Sequence, residues 1–117
     1  MIKGIGIDIV ELDRIEASLA KGDRFINRIL TQKEKERFFE LKNHRRQIEF
    51  VAGRFAAKEA CAKALGTGIG SLSFQHIQVL NQETGAPMIK VAGYENETFL
   101  LSISHSKGYA IAQVLVQ

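Results

Sequence analysis

The longest helical pattern in the sequence runs from about Gln47 to Leu65, and small residues recur along it. Glycine and alanine make a helix thin, so that another backbone or a ligand can approach its axis closely. Gly66 follows this pattern directly and is a natural C-terminal cap, because glycine adopts the left-handed conformation at little cost. The sequence therefore predicts a long central helix that its neighbours approach closely. The small residues are Gly53, Ala56, Ala57, Ala60 and Ala64.

The opening residues alternate in character, which is typical of a β-strand. Ile5, Ile7 and Ile9 share one face of this predicted strand, whereas Asp8 lies among glycines and a valine on the other. Apolar residues then recur at helical spacing and predict an amphipathic helix over residues 11–20.

A capping box is predicted at Thr31, because its side chain and that of Glu34 can satisfy each other's free backbone N–H groups. We therefore expect a helix from Thr31 to about Leu41. The polar residues 42–46 are predicted to form a loop before the long helix.

The second half of the chain changes to the period of strands. Residues 77–91 predict a hairpin around a turn at 83–86, and residues 99–105 and 109–116 predict a second antiparallel pair. The last strand is apolar on both faces, so it needs two covers, which helices of the same chain or a symmetric partner could supply. The fold expected is α+β, with residues 1–117 forming one domain.

The composition of the chain indicates the compartment in which we expect the protein. The chain has 117 residues, of which 45% are apolar and 25% charged, as in ordinary globular domains. Its single cysteine, Cys61, excludes an internal disulfide and fits a reducing compartment. No apolar run approaches the roughly 20 residues of a membrane span, and the amino terminus has no signal-peptide layout. We therefore expect a cytoplasmic protein without a membrane partner.

Basic residues concentrate in the first half of the chain. The formal net charge is +3, and residues 21–46 alone hold nine basic and four acidic side chains. Such a segment favours an anionic partner, whether nucleic acid, an acidic protein or a phosphorylated ligand. An ordinary solvated helix face is the alternative.

Three charged features could carry chemistry. Asp8 lies within an apolar strand, where an unpaired carboxylate is costly, so it either caps the next helix at the strand end or binds a metal or substrate. Glu59 and Lys63 lie one turn apart on the long helix, a spacing that is usually a surface stabiliser. Arg54 and Lys58 form a similar pair on a neighbouring stripe.

A glycine run follows the long helix at residues 66–70, where backbone N–H groups could turn toward an anion. It matches neither the Walker nor the Rossmann pattern, and a C-cap followed by a flexible loop is the alternative. His105 stands between two serines, but no nucleophile elbow accompanies it. Cys61 is expected to pack among alanines.

Taken together, three segments resemble the small bacterial class of the holo-acyl-carrier-protein synthase family of 4′-phosphopantetheinyl transferases. They are GIGIDIVELDRI, FVAGRFAAKEACAKALGTGIG and SISHS. The resemblance implies Mg²⁺-dependent transfer of the phosphopantetheine arm of coenzyme A to a serine of apo acyl carrier protein, in support of fatty acid biosynthesis. Adenosine 3′,5′-bisphosphate would be released. It also implies a long central helix packed on an antiparallel sheet, and a homotrimer with active sites at its interfaces.

The resemblance assigns catalytic roles. Asp8 and Glu59 correspond to the magnesium-binding carboxylates, and Lys63 would contact the same phosphates or stabilise the leaving group. Larger family members often carry another acid where this chain has Val10, so coenzyme A oxygens and water would complete the metal shell. Either Glu59 or a metal-bound water could take the serine proton.

The resemblance also divides the remaining residues between two ligands. The nucleotide end of coenzyme A would contact Arg54, Lys63, Gly66, Thr67, Gly68, His105 and Ser106. The carrier protein would contact Arg14, Lys21, Arg24, Phe25 and Arg28. The family places the carrier-gripping helix and the nucleotide pocket on neighbouring chains, so Arg14 and Glu59 of one site would come from different subunits.

Two other classes explain less of the sequence. A basic nucleic-acid-binding domain would use the charges of residues 21–46, but the strands lack aromatic platforms and no helix-turn-helix or zinc spacing occurs. That reading also leaves Asp8 and Glu59 unexplained. A non-catalytic adaptor for acidic proteins explains the charges but not the glycine run.

Overall fold

One helix of 22 residues crosses the molecule in the computed structural model, which describes residues 1–117. At 1.5 Å per residue this helix is about 33 Å long, against a longest molecular dimension of 40 Å. The other elements surround it. In chain order the elements are β1 (Gly4–Glu11), α1 (Leu12–Ala20), α2 (Arg24–Ile29), α3 (Gln32–Glu40), α4 (His44–Leu65), a 3₁₀ helix (Phe74–His76), β2 (Ile77–Asn81), β3 (Pro87–Val91), β4 (Phe99–His105) and β5 (Tyr109–Val116).

The long helix α4 begins earlier than its sequence pattern predicts. Asn43 is the N-cap, and its side-chain oxygen accepts a hydrogen bond of 3.0 Å from the backbone N–H of Arg46. The prediction of a loop over residues 42–46 is therefore wrong from His44 onward. The predicted end is confirmed, because Gly66 caps the helix with a φ of 77°.

The shorter helices α1 and α3 confirm their predictions, whereas α2 and the 3₁₀ helix were not predicted. The capping box of α3 is present: Glu34 accepts a hydrogen bond of 2.8 Å from the Thr31 backbone, and the Thr31 hydroxyl accepts one of 3.4 Å in return. None of the helices combines the length and apolar character that a membrane crossing requires.

The strands form two antiparallel sheets, and both predicted strand pairs are confirmed. The larger sheet has the order β1-β5-β4, and β2 pairs with β3 in the smaller one. In the larger sheet Asp8 lies opposite Ala112 of the central strand β5, which also pairs with Ile103 of β4. Asp8 is therefore in mid-strand rather than at a strand end.

Only one face of the larger sheet is covered within the chain. Ala110, Ala112, Val114 and Val116 of β5 are buried on the α4 side. On the other face, three isoleucines of β1 are each more than half exposed, and residues of β4 and β5 extend this apolar surface. The alternative in which helices of the same chain cover both faces is therefore wrong. The exposed residues are Ile5, Ile7, Ile9, Leu100 and Ile111, and we call them the open sheet face.

Strand β1 lies directly on α4 because two of its residues have no side chain. A β-carbon at Gly4 would be 2.0 Å from the carbonyl oxygen of Ala64, and one at Gly6 would be 1.9 Å from that of Ala60. These separations are far inside van der Waals contact. The close approach predicted for the thin helix is confirmed, and it brings Asp8 beside α4.

Candidate active site

Asp8 is held by Lys63, which reaches back from α4. The Lys63 ammonium donates hydrogen bonds to Asp8 Oδ1 at 3.2 Å and to the carbonyl oxygen of Ile7 at 2.9 Å. The Asp8 side chain is 18% exposed and that of Lys63 is 51% exposed. Asp8 is not a helix cap, since Glu11 occupies the N-cap position of α1. Its carboxylate is thus a partly buried, charged group at the junction of strand and helix.

Glu59 lies beside the same carboxylate. Burial raises the pKa of Glu59 above its usual range, and the negative charge of Asp8 raises it further, against the opposing effects of Lys63, Arg14 and Arg28. The surface pair expected between Glu59 and Lys63 is not formed, because the lysine bonds to Asp8 instead.

The two carboxylates fit a magnesium ion in their chemistry. They supply hard oxygen donors, and their mutual repulsion in a partly buried place is relieved by a cation. No cluster of three or more His, Cys, Asp or Glu side chains exists that could hold a metal alone. Mg²⁺ commonly binds one or two carboxylates and takes its other ligands from phosphates and water.

Aromatic rings line a pocket of about 330 Å³ that has Glu59 at its edge. Phe55 of α4 and Phe74 of the 3₁₀ helix stack with ring centroids 5.6 Å apart. Arg14 lies over the first ring at 5.7 Å and Arg28 over the second at 5.6 Å. We call Phe55 and Phe74 the aromatic floor, and its two arginines give the pocket a positive rim.

The residues expected to contact the carrier form one surface. Lys21, Arg24, Phe25 and Arg28 line a groove of about 530 Å³ at α1 and α2. Phe25 and Arg28 also line the pocket at Glu59, which Arg14 shares. Arg14 and Glu59 therefore belong to one site of a single chain. Within the chain α1 folds back across α4 and brings Arg14 over Phe55, so this geometry does not support the expectation that Arg14 and Glu59 act from different subunits, which stays a prediction.

Arg54 and His105 lie in a separate cleft of about 400 Å³. The Arg54 side chain stacks over the Phe50 ring at 4.1 Å and donates a hydrogen bond of 3.1 Å to Asn81. Its buried Nε has no partner, and burial lowers the pKa of Arg54 to about 10. A ring nitrogen of His105 is 2.9 Å from the carbonyl oxygen of Glu49. The cleft is lined by Arg37, Leu41, Arg46, Glu49, Phe50, Arg54, Asn81 and His105, and we call it the arginine cleft.

The turn at residues 66–68, which we call the glycine turn, is distant from this cleft, and its backbone amides bond within the chain. The N–H groups of Gly66, Thr67 and Gly68 donate to the carbonyl oxygens of Lys63 and Ala62 at 3.0–3.2 Å. These three amides therefore cap α4, and the interpretation that they turn toward an anion is wrong. The first glycine of the turn is 12 residues beyond Arg54, about 18 Å along the helix axis.

Ser106 lies in the turn between β4 and β5, where its amide donates to the carbonyl oxygen of Tyr109 at 2.8 Å. The side chains assigned to the nucleotide thus fall into two regions of the chain, one at the arginine cleft and one at the end of α4.

Sequence reasoning missed several polar residues that the fold brings to these sites. Arg37, Arg46 and Asn81 join Arg54 only through tertiary packing, and no spacing in the sequence links them. Lys58 has its side chain fully buried against Glu34, although its i, i+4 spacing from Arg54 suggested a helix surface. Its position among alanines of the central helix is the one signal that could have indicated burial.

The chain is similar to known proteins over its full length. A family model described as the 4′-phosphopantetheinyl transferase superfamily matches residues 4–114. A holo-[acyl-carrier-protein] synthase of Oceanobacillus iheyensis is 54% identical over 117 residues, covering all of this chain and 98% of the relative. One from Geobacillus kaustophilus is 58% identical over 118 residues, covering 100% and 90%.

Solved structures agree with this relationship. The crystal structure of a Bacillus anthracis holo-(acyl-carrier-protein) synthase in complex with CoA (3′,5′-ADP) has a TM-score of 0.90 at 52% identity, covering 99% of this chain and 96% of that one. A Helicobacter pylori enzyme in complex with coenzyme A has a TM-score of 0.85 at 38% identity, covering 97% and 99%. The α+β architecture, the three sequence segments and these full-length matches together show that the chain belongs to the 4′-phosphopantetheinyl transferase superfamily.

Proposed function

We propose that this protein transfers the 4′-phosphopantetheine arm of coenzyme A to a serine hydroxyl of apo acyl carrier protein and releases adenosine 3′,5′-bisphosphate. The observation that carries this proposal is the Asp8–Glu59 pair at the end of a basic, aromatic surface. Such a surface suits an acidic protein that presents a hydroxyl group. The curated relatives with 54–58% identity are named for this reaction. The reaction supports fatty acid biosynthesis, and the reduced, buried Cys61 is consistent with the cytoplasm.

Coenzyme A is the donor that the solved relatives support, since two of them are described as complexes with it or its nucleotide. Asp8 and Glu59 would hold Mg²⁺, which when bound neutralises charge on the pyrophosphate. Lys63 has a half-exposed ammonium at this point and binds phosphate oxygens. Glu59 also lines the pocket that Phe55 and Phe74 form, where it would be placed to accept the serine proton.

The site is shared between copies of the chain in a homotrimer. The open sheet face supports this assembly, because a contiguous apolar surface of this kind is normally covered by a partner. The separation between the arginine cleft and the end of α4 supports it as well. One coenzyme A would contact the Lys63 end of α4 in one subunit, and Arg54 with His105 in the next.

Mass measurement of the carrier tests the proposed reaction directly. Purified protein is mixed with coenzyme A, Mg²⁺ and an apo acyl carrier protein, and the carrier is weighed. We expect a mass gain of one phosphopantetheine, which chelation of Mg²⁺ abolishes. A carrier of unchanged mass would contradict the proposal, provided that another transferase modifies the same preparation.

A further inference from the structure

Helix α2 is too short to be stable without contacts to the rest of the chain. It has six residues, and its N-cap, Asp23, makes no side-chain hydrogen bond to it. Isolated helices of this length are unstable in water. Yet α2 carries Arg24, Phe25 and Arg28, so the geometry of the proposed carrier surface depends on whatever secures this helix.

Two side chains from elsewhere in the chain secure its C-terminal end. The amide nitrogen of Gln75 lies 3.0, 3.2 and 2.8 Å from the carbonyl oxygens of Asn27, Arg28 and Leu30. Lys58 donates to the remaining carbonyl, that of Ile29, at 2.7 Å. The last carbonyl groups of a helix normally lack partners, and a cation is favoured there by the helix dipole.

Lys58 is itself fixed from three sides. Its fully buried ammonium also contacts Glu34 Oε1 at 2.6 Å and the carbonyl oxygen of Phe74 at 3.2 Å, so all three of its donors are used. The other oxygen of Glu34 accepts a hydrogen bond of 2.7 Å from the backbone of Val79. The end of α2 is thereby tied to α4, α3, β2 and the aromatic floor through one buried network.

Lys58 directly precedes Glu59 on α4. We propose that Lys58 and Gln75 are positioning residues for the protein acceptor, which hold α2 and its carrier-binding side chains at a set spacing from Glu59. This inference rests on the proposed function, because it concerns how the carrier is presented to that site. The two residues bond to the end of α2 and do not line the pocket at Glu59, so we expect their effect to fall on recognition of the carrier.

Gln75 is the cleaner of the two to test, because it is exposed. Gln75→Glu keeps the size of the side chain but removes its donors and sets a negative charge against the carbonyl oxygens. Gln32→Glu is the matched control, since it adds the same charge at an exposed position on α3. We expect Gln75→Glu to raise KM for the carrier about tenfold, with kcat and KM for coenzyme A unchanged. Gln32→Glu should leave all three parameters near the parental values.

Lys58 needs a pair of changes, because Lys58→Met alone leaves Glu34 buried without its partner and destabilises the fold. The double variant Lys58→Met/Glu34→Gln removes both charges. It should recover most of the lost thermal stability yet keep the raised KM for the carrier. Val114→Ala, in the core of the larger sheet, serves as a destabilised control whose carrier KM stays parental.

The outcomes separate this inference from the proposed function. No transfer by the parental protein overturns the proposed function. With transfer present, an unchanged carrier KM in Gln75→Glu overturns the positioning role alone, as does a proportional rise of both KM values. A double variant that regains the parental carrier KM together with its stability shows that the network only supports the fold, and this too overturns the inference.

Discussion

The ammonium of Lys63 lies 3.2 Å from Asp8 Oδ1 and joins the end of α4 to the middle of β1. Glu59, one turn earlier on the same helix, receives no such partner from the lysine. The cluster therefore holds one carboxylate in an ion pair and one, Glu59, with cations nearby but no direct ion pair. This arrangement suits the proposed site, in which Asp8 and Glu59 would hold Mg²⁺ and Lys63 would contact a phosphate.

Removing either carboxylate should abolish most of the transfer while the fold remains. We expect Asp8→Asn and Glu59→Gln each to lower the rate at saturating Mg²⁺ by about 100-fold or more, because each loses a charged metal ligand or the proton acceptor. Circular dichroism should stay parental. Glu83→Gln, in the exposed β2–β3 turn, is the control. Either site variant working at the parental rate would refute the assignment.

Charge reversal at Arg24 should weaken carrier binding without affecting coenzyme A. This residue lines the groove at α1 and α2 and not the pocket at Glu59, so we expect its charge to act on the carrier through exposed electrostatics. We expect Arg24→Glu to reduce carrier affinity and to flatten its dependence on salt, since such attraction is screened within about 8 Å at physiological ionic strength. Titration of both ligands by calorimetry checks this. Equal losses for the two ligands would indicate damage to the fold.

Subunit mixing tests which residues cooperate across chains. Arg54→Ala and Glu59→Gln subunits should regain activity when they exchange, because some interfaces then combine an intact cleft with an intact carboxylate pair. Arg14→Glu mixed with Glu59→Gln should stay inactive, since those residues line one pocket of the same chain. Native mass spectrometry establishes that exchange has occurred. Activity in the second mixture but not in the first would contradict the proposal that Arg54 and Glu59 of one site come from different subunits.

Cys61 should make the protein less stable in alkali. Burial raises the pKa of its thiol from 9.0 to about 12, so the unfolded chain loses this proton at a lower pH than the folded one. The contribution of the thiol to the free energy of unfolding is fully present below pH 9. It is lost as the pH rises toward 12, by up to about 1.4 kcal/mol per pH unit. The slope of the unfolding free energy between pH 9 and 11 should be shallower in Cys61→Ala. Equal slopes would show that the thiol does not contribute.

Much of the fold could be predicted from local patterns, because its main elements are specified locally. The capping box at Thr31, the left-handed Gly66 and the alternating strands each need only neighbouring residues. Helix α2 could not be predicted in this way. Six residues hold less than two turns of periodicity, and the side chains that secure its end come from Lys58 and Gln75, far along the chain.

The sequence indicated several residues of the candidate site, but it did not indicate which residues contact one another there. Asp8 was conspicuous as a charge in an apolar strand, and the fold supplied Lys63 as its partner across 55 residues. The glycine turn has a pattern that suits either a helix cap or an anion site, and only the direction of its amides decides between them. Likewise the arginine cleft forms where α3, α4, β2 and the end of β4 meet, and the spacing of residues along the sequence does not reveal this meeting.

The contact of Gly4 and Gly6 with α4 means that backbone packing sets the position of Asp8 relative to this helix. Side chains in a core can shift rotamers to absorb a mutation, but two backbones in direct contact have nothing between them that can adjust. We therefore expect substitutions elsewhere in the core to leave the distance between the Asp8 main chain and α4 unchanged. It also means that the first strand cannot gain even a methyl group at these two positions, so the opening segment is much less free to vary than its simple composition suggests.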